Sequence, residues 1–229
     1  MALMQKEAIF RRTNRSVPTL LLLWLTCGSL GSLLFTTTYL IEGITRPDYS
    51  AWQQAISALS LGPGGWVQQI NFLVFGLITI WTAFAWRRLL KGGAGGLWNP
   101  ICRVLEGIGL LVDCFFSQDP AFGYPKGIAL VPPTFHGTVH VLFAFLSITA
   151  IACGFFVIAR RFLRQPEWRG WFTYSIITGV LTIVFIAIFG TLNGQHSAYA
   201  GLFERLSTSL GTLWGIIFLV RLWLGTKFA

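Results

Sequence analysis

The sequence predicts an all-α membrane protein with six transmembrane helices in one bundle, and three observations support this fold class. The 229 residues are 54% hydrophobic and only 11% charged, with a mean hydropathy of +0.66. Six apolar runs are each long enough to cross a bilayer, which takes about 20 residues. Most basic residues lie on one side of these runs. A soluble domain would carry about a quarter charged residues, so a soluble fold is excluded.

The six predicted helices divide the chain at its polar connections. They occupy about residues 17–41, 67–86, 98–117, 135–159, 171–192 and 206–224. The first run follows several basic residues, as in a secretory signal, but it is too long and lacks a small-residue cleavage site. We therefore expect a retained first helix. Because no internal repeat is found, we expect residues 1–229 to form a single transmembrane domain.

The distribution of positive charge predicts the orientation. All but three of the 17 Lys and Arg residues lie near the two termini or near the connections after the second and fourth predicted helices. The exceptions are Arg46, Lys126 and Arg205. By the positive-inside rule both termini are cytoplasmic, which agrees with an even number of crossings. No basic run alternates with aromatic residues, so the net charge of +9 does not indicate nucleic-acid binding.

The long connection after the first helix has a helical pattern of its own. Residues 50–60 place apolar side chains on one face, and Gly62, Pro63 and Gly64 end the pattern. We expect a short amphipathic helix lying at the membrane interface over the bundle. Trp52 and Trp66 flank it, and indole rings favour headgroup depth.

Two carboxylates lie inside the third predicted helix. Glu106 and Asp113 are seven residues apart, so they share one side of the helix, which must face the bundle rather than lipid. Carboxylates within a membrane are costly, and each is therefore a functional candidate. The alternatives are an ion pair with Arg103, one turn before Glu106, and a protonated carboxyl bonded to a neighbouring helix.

The histidines are the candidate metal ligands. His136 and His140 are four residues apart at the start of the fourth helix, so both imidazoles lie on one side, about 6 Å apart along the axis. This is the geometry by which one helix supplies two metal ligands, or one ligand and one proton carrier. His196, after the fifth helix, is a third candidate ligand. Hydrogen bonding of both histidines to water and loop carbonyls remains the alternative.

Four further polar residues complete the predicted outer site. Asp119 precedes Pro120, where it either starts a turn or folds back over the site. Ser57 is either a capping residue or part of the site. Glu204 suits the start of the sixth helix. Glu204 and its neighbour Arg205 are both candidates for binding an anionic headgroup or a partner protein.

These residues also carry a resemblance to a known family. The chain resembles, from about residue 47 to 205, the bacterial six-helix membrane proteins grouped as domain of unknown function 998. The resemblance rests on ISALSLGPGGW, the Asp119–Pro120 step, the His136 and His140 pair, and Gly201, Leu202 and Arg205. The resemblance implies the six-helix fold, a location in the bacterial inner membrane and a functional role for these positions. It does not imply a reaction. A looser resemblance is to the alkaline ceramidase and adiponectin-receptor superfamily, whose zinc lies in a seven-helix bundle.

The sequence leaves several functions open. We expect a binding or accessory subunit that contacts membrane lipid, either alone or within a larger membrane complex. The first alternative is a metal-dependent lipid hydrolase, with zinc on His136, His140 and His196 and with Asp113, Asp119 and Ser57 in catalytic roles. The second is a haem protein, with His136 facing His196. Transport is not favoured, because the titratable groups gather on one side and no broken-helix repeat is found.

Overall fold

The computed structural model describes residues 17–93, 95–128 and 131–225. Six long helices and two short 3-10 helices, Ile56–Ser60 and Pro166–Trp168, make up its regular structure. The long helices are α1 (Thr19–Thr45), α2 (Trp66–Leu89), α3 (Trp98–Phe115), α4 (Phe135–Phe162), α5 (Arg169–Gly194) and α6 (Ala200–Trp223). The predicted all-α fold is confirmed, with helix ends that differ by a few residues from those expected.

The helices form a closed ring. Each packs against the next in the chain, and α6 packs back against α1. The connections after α2, α4 and α5 are short, which makes the helices that they join antiparallel neighbours. A ring of this kind leaves a central space, and the side chains that line it decide what the protein can bind.

Five of the six helices are long and apolar enough to cross a membrane: all except α3. Large apolar side chains point outward on these helices, including Leu20, Ile44 and Phe145, each at least two-thirds exposed. Such exposure would be costly in water and is expected where lipid surrounds the protein. The structure therefore supports a multi-pass membrane protein.

The third helix, α3, differs because it carries three charged residues, Arg103, Glu106 and Asp113. It lies between α2 and α4 and packs closely on both. A Cβ on Gly107 would lie 2.7 Å from the carbonyl oxygen of Gly76 in α2, so glycine lets the two backbones approach. Neighbouring helices thus cover the polar side of α3.

One end of the ring is closed by aromatic rings. Trp168, Trp171, Trp214 and Phe218 pack into one buried cluster, and the guanidinium of Arg221 lies 4.4 Å from the centre of the Trp168 ring. We call this the aromatic end. It is where α2 ends and α3 begins, at the connections that carry most of the basic residues. The predicted cytoplasmic residues Lys6, Arg11, Arg12, Arg15 and Lys227 lie outside the described residues.

The connection between α1 and α2 differs from the expected interfacial helix. Its regular part is the 3-10 helix Ile56–Ser60, and all five of its residues are buried. It contacts α1, α2 and α6 and closes the opposite end of the ring, which we call the site end. The amphipathic pattern of residues 50–60 arises because their apolar side chains pack on the bundle. Trp52 and Trp66 beside it are exposed.

Candidate functional site

A cavity of about 80 Å³ lies inside the ring next to the 3-10 helix. Its walls come from α1, α2, α3, α4, α6 and the 3-10 helix. The polar side chains that line it are Ser57, Glu106, Asp113, His140, Ser147, Glu204 and Thr208. We call this the site cavity. It brings together predicted residues from four separate parts of the chain.

The carboxylates of α3 lie where their spacing predicts. Glu106 is 3% exposed and Asp113 is 4% exposed, and both line the site cavity. Glu106 also pairs with Arg103, whose Nη1 lies 3.2 Å from Oε2. The ion pair proposed from the sequence for Glu106 is therefore present. For Asp113, the described residues place one group of opposite potential charge close by, a histidine of the next helix.

That histidine is His140. Its Nδ1 lies 2.9 Å from the carbonyl oxygen of Phe116, directly after the end of α3. A carbonyl oxygen only accepts, so Nδ1 must carry the hydrogen of this bond. In the neutral ring Nε2 then holds the lone pair. The ring is 3% exposed, so its tautomer is set by the protein and not by bulk water.

Asp113 and His140 form a close but incompletely bonded pair. Oδ1 of Asp113 lies 3.2 Å from Nδ1 of His140, yet within the described residues it accepts no hydrogen bond. The two groups are close but not hydrogen-bonded because the hydrogen on Nδ1 points at the carbonyl oxygen of Phe116 and not at Oδ1. A buried carboxylate oxygen without a donor is costly, so Oδ1 is available to a proton or to a donor in the cavity.

Glu204 approaches the same cavity from α6. Its Oε2 accepts a hydrogen bond from the backbone nitrogen of Ile56 at 2.6 Å, which fixes the start of the 3-10 helix. Ser57, the next residue, donates to Oε1 of Gln118 at 2.6 Å. The hydroxyl hydrogen of Ser57 is therefore directed at Gln118 and not at His140. Glu204 points inward and not to a lipid headgroup.

Arg205 is placed differently from the headgroup role expected for it. It is 7% exposed, and it donates to the carbonyl oxygens of Gln54 and Gly201, both at 2.9 Å, and to the Tyr49 hydroxyl. Burial raises the pKa of the Tyr49 phenol, and the positive charge of Arg205 opposes that rise. The guanidinium therefore fastens the connection before the 3-10 helix to α6.

Asp119 lies outside the site cavity and has a structural partner. Its two carboxylate oxygens accept from the backbone nitrogen of Thr134 at 2.9 Å and from its hydroxyl at 2.6 Å. Thr134 is the N-cap of α4 and accepts in turn from the nitrogen of Gly137. Asp119 therefore holds the loop after α3 to the start of α4, which matches the turn alternative considered for it.

The three histidines do not share one environment. His136 is exposed and its ring centre lies 5.0 Å from that of Phe116, while His196 is exposed against Phe122 at 5.2 Å. In the described parts of the chain, no group of three or more His, Cys, Asp or Glu side chains is placed to hold a metal ion. The geometry of the described residues does not favour the zinc hydrolase.

Other residues of the site were not singled out from the sequence. Ser147 donates from α4 to the carbonyl oxygen of Glu106, and Thr208 lines the cavity from α6. Isolated Ser and Thr in apolar helices carry no signal of their own. Glu42, by contrast, is paired with Arg46 at the end of α1, and the spacing of four residues would have predicted that pair.

Comparison with known proteins identifies a family for this chain. The family described as "Protein of unknown function (DUF998)" matches residues 29–221, from within α1 to within α6. The matched range includes every residue that lines the site cavity. No curated protein and no solved structure matches the chain. The resemblance found in the sequence is confirmed, and the chain belongs to the DUF998 family of membrane proteins of unknown function.

Proposed function

We propose that this protein crosses the bacterial inner membrane six times, with both termini in the cytoplasm, and that it reversibly binds a proton at the Asp113–His140 pair. The basic connections at the aromatic end support this orientation. The sixth crossing is α3, whose charged side faces the ring interior. The site cavity then lies near the outer face of the membrane.

The observation that carries the proposal is the unbonded Oδ1 of Asp113, 3.2 Å from Nδ1 of His140. Ionised carboxylates are unstable in a low-dielectric interior unless donors surround them. Asp113 has one such neighbour, and its hydrogen is directed to Phe116. Binding one proton from the outer side forms an O–H bond at Oδ1 and makes the carboxyl neutral.

The other acids of the cavity support the same conclusion. Glu106 is balanced by Arg103 and Glu204 by the Ile56 nitrogen. Among these three acids, Asp113 is therefore the one whose negative charge is least compensated by a cation or a hydrogen-bond donor of the described residues. A cavity of about 80 Å³ admits a few water molecules, which can carry the proton. A proton-responsive subunit of this kind agrees with the binding or accessory role expected from the sequence.

The test is infrared spectroscopy of the full chain in detergent as a function of pH. A protonated carboxyl has its own carbonyl stretch, which disappears when the proton leaves. We expect a pH-dependent carboxyl band in the wild type that is lost in Asp113→Asn. Asp48→Asn is the matched control, because Asp48 is exposed and has a positive φ that asparagine tolerates. A band unchanged in Asp113→Asn would overturn the proposal.

A further inference from the structure

A groove of about 290 Å³ lies between α2 and α3 at the aromatic end. Ala83 of α2 and Pro100 of α3 are buried at its floor. Phe84 and Leu97 are 60% and 56% exposed at its rim, so the groove faces the surroundings of the ring and not its interior. Apart from Arg87, all the side chains that line it are apolar. We call it the α2–α3 groove, and it shares no lining residue with the site cavity.

The packing of α2 on α3 produces this groove. The two backbones meet where an added Cβ on Gly107 would lie 2.7 Å from the carbonyl oxygen of Gly76. Nearer the aromatic end, Nη1 of Arg87 donates to the carbonyl oxygen of Gly96 at 2.8 Å. Ala83 lies between these two contacts, and its methyl group leaves open the space that a larger side chain would fill. Contacts on either side of the groove therefore hold it open.

The start of α3 exposes little backbone polarity to the groove. The first N–H groups of a helix have no partner within the helix. Here the nitrogen of Asn99 donates to the carbonyl oxygen of Gly95. The nitrogen of Ile101 donates to that of Leu97, and Pro100 has no N–H. Ordered water needs several polar partners, which this lining does not supply. The occupant that fits the groove is therefore a hydrocarbon chain.

The rim of the groove carries an uncompensated positive charge. Arg87 is exposed, and apart from the Nη1 bond to Gly96 its guanidinium has no hydrogen-bond partner among the described residues. No Asp or Glu occurs in residues 83–105. Trp98 follows the rim residue Leu97 and is 63% exposed, and indole rings favour the depth of the lipid headgroups. An anion at headgroup depth would therefore meet the free N–H groups of Arg87.

We propose that the α2–α3 groove binds one phospholipid with an anionic headgroup. One acyl chain lies in the groove, and the phosphate accepts hydrogen bonds from Arg87, whose planar guanidinium matches a phosphate. Basic pockets between transmembrane helices are suited to anionic headgroups in this way. The sequence counted Arg87 only toward the orientation, because the groove beside it depends on how α2 packs on α3. The lipid site is independent of proton binding at Asp113.

The experiment is native mass spectrometry of the full chain released from detergent micelles, which counts bound lipids. The probes are phosphatidylglycerol, which is anionic, and phosphatidylcholine with the same acyl chains. We expect the wild type to bind the first phosphatidylglycerol in preference to phosphatidylcholine. Arg87→Gln should weaken that binding about fivefold, the effect of one basic residue near an anionic surface. Val104→Phe places a ring in the groove and should abolish the preference while every charge remains.

Two matched controls test whether the effects belong to the groove. Arg160 is exposed in the last turn of α4, as Arg87 is in the last turn of α2. Val141 is an exposed apolar residue of α4 toward the site end. Arg160→Gln and Val141→Phe should therefore bind phosphatidylglycerol like the wild type. Melting temperatures in lipid-free detergent check that all four variants are folded.

The other outcomes would each overturn the proposal. Equal binding of the two lipids by the wild type would mean that the groove selects no anion. An equal loss in Arg87→Gln and Arg160→Gln would assign the effect to the general charge of the aromatic end. Displacement of the lipid by free glycerol phosphate would mean that the headgroup binds without the chain. A lipid-free dimer that is lost in Val104→Phe would assign the groove to a second copy of the chain.

Discussion

Oδ1 of Asp113 lies 3.2 Å from Nδ1 of His140 but accepts no hydrogen bond within the described residues. The reason is local geometry: α3 ends at Phe115, and the freed carbonyl of Phe116 takes the imidazole hydrogen. An acid and a base are thus held in contact while the acid lacks a donor. This is an arrangement suited to a change of protonation and poorly suited to stabilising the fold.

The first prediction concerns the stability of that pair. Asp113→Asn keeps the shape of the side chain and removes a charge that the protein solvates poorly, so we expect the melting temperature in detergent to stay the same or rise. Tryptophan fluorescence during heating measures it, and Asp48→Asn should melt like the wild type. A clear fall in melting temperature for Asp113→Asn alone would mean that the carboxylate stabilises the fold.

The second prediction separates Asp119 from the site. Asp119→Ala removes both hydrogen bonds to Thr134, the N-cap of α4. We expect a loss of about 1–2 kcal/mol in the free energy of unfolding, as for other lost caps. The pH-dependent carboxyl band of Asp113 should remain. If that band vanished while the protein stayed folded, Asp119 would have to be counted with the site residues, as the sequence first suggested.

A third prediction tests the close packing behind the site. A Cβ at Gly109 would lie 2.0 Å from Oγ of Ser147 and 2.6 Å from the carbonyl oxygen of Phe143 in α4. Gly109→Ala should therefore separate α3 from α4 and lower the melting temperature, at a cost of about 1–3 kcal/mol.

The matched control for this packing test is Gly190→Ala. Gly190 lies within α5, and nothing would come within 4 Å of an added Cβ there. Alanine is the better helix former by about 1 kcal/mol, so this variant should be neutral or stabilised. If both variants melted alike, the close contact between α3 and α4 would not be supported.

The sequence predicted the parts of the structure that depend on local pattern. Hydropathy gave the six helices, and the spacing of Glu106 and Asp113 placed both inside the ring. His136 and His140 also share a side of α4, but they lie one turn apart. The end of α3 lies beside His140 and covers it. His136 lies one turn further toward the start of α4, beyond the end of α3, and is therefore exposed. Helical periodicity predicts which side of a helix a residue lies on. It does not predict where along that helix the neighbouring helix ends.

The remaining parts depend on contacts distant in sequence. Glu204 reaches the nitrogen of Ile56, which is 148 positions away, and that contact turns a segment expected at the interface into the closed end of the ring. The hydroxyl groups that join α1 to α6 also depend on contacts between residues far apart in sequence. Each is unremarkable in its own helix, and only the ring closure between α1 and α6 brings Ser32 to Thr212.

The last prediction concerns Arg205, which the sequence made a candidate for binding a headgroup or a partner and which the structure buries. Its guanidinium donates to the carbonyl oxygens of Gln54 and Gly201 and lies over the Tyr49 ring. Arg205→Met would remove these buried, charge-assisted hydrogen bonds, so we expect a loss of about 2–4 kcal/mol in the free energy of unfolding. Thermal melting in detergent measures it.

Arg164→Met is the control for that loss, because Arg164 is an exposed cation at the aromatic end and its removal should cost little. Arg205→Lys should be intermediate, since one ammonium group cannot reproduce the planar fork of donors. A headgroup ligand would behave differently: Arg205→Met would melt normally in detergent and lose only its stabilisation by anionic lipid. Because Arg205 joins α6 to the connection before the 3-10 helix, its loss should also loosen the site end, and the infrared band of Asp113 should then broaden as outside water reaches the cavity.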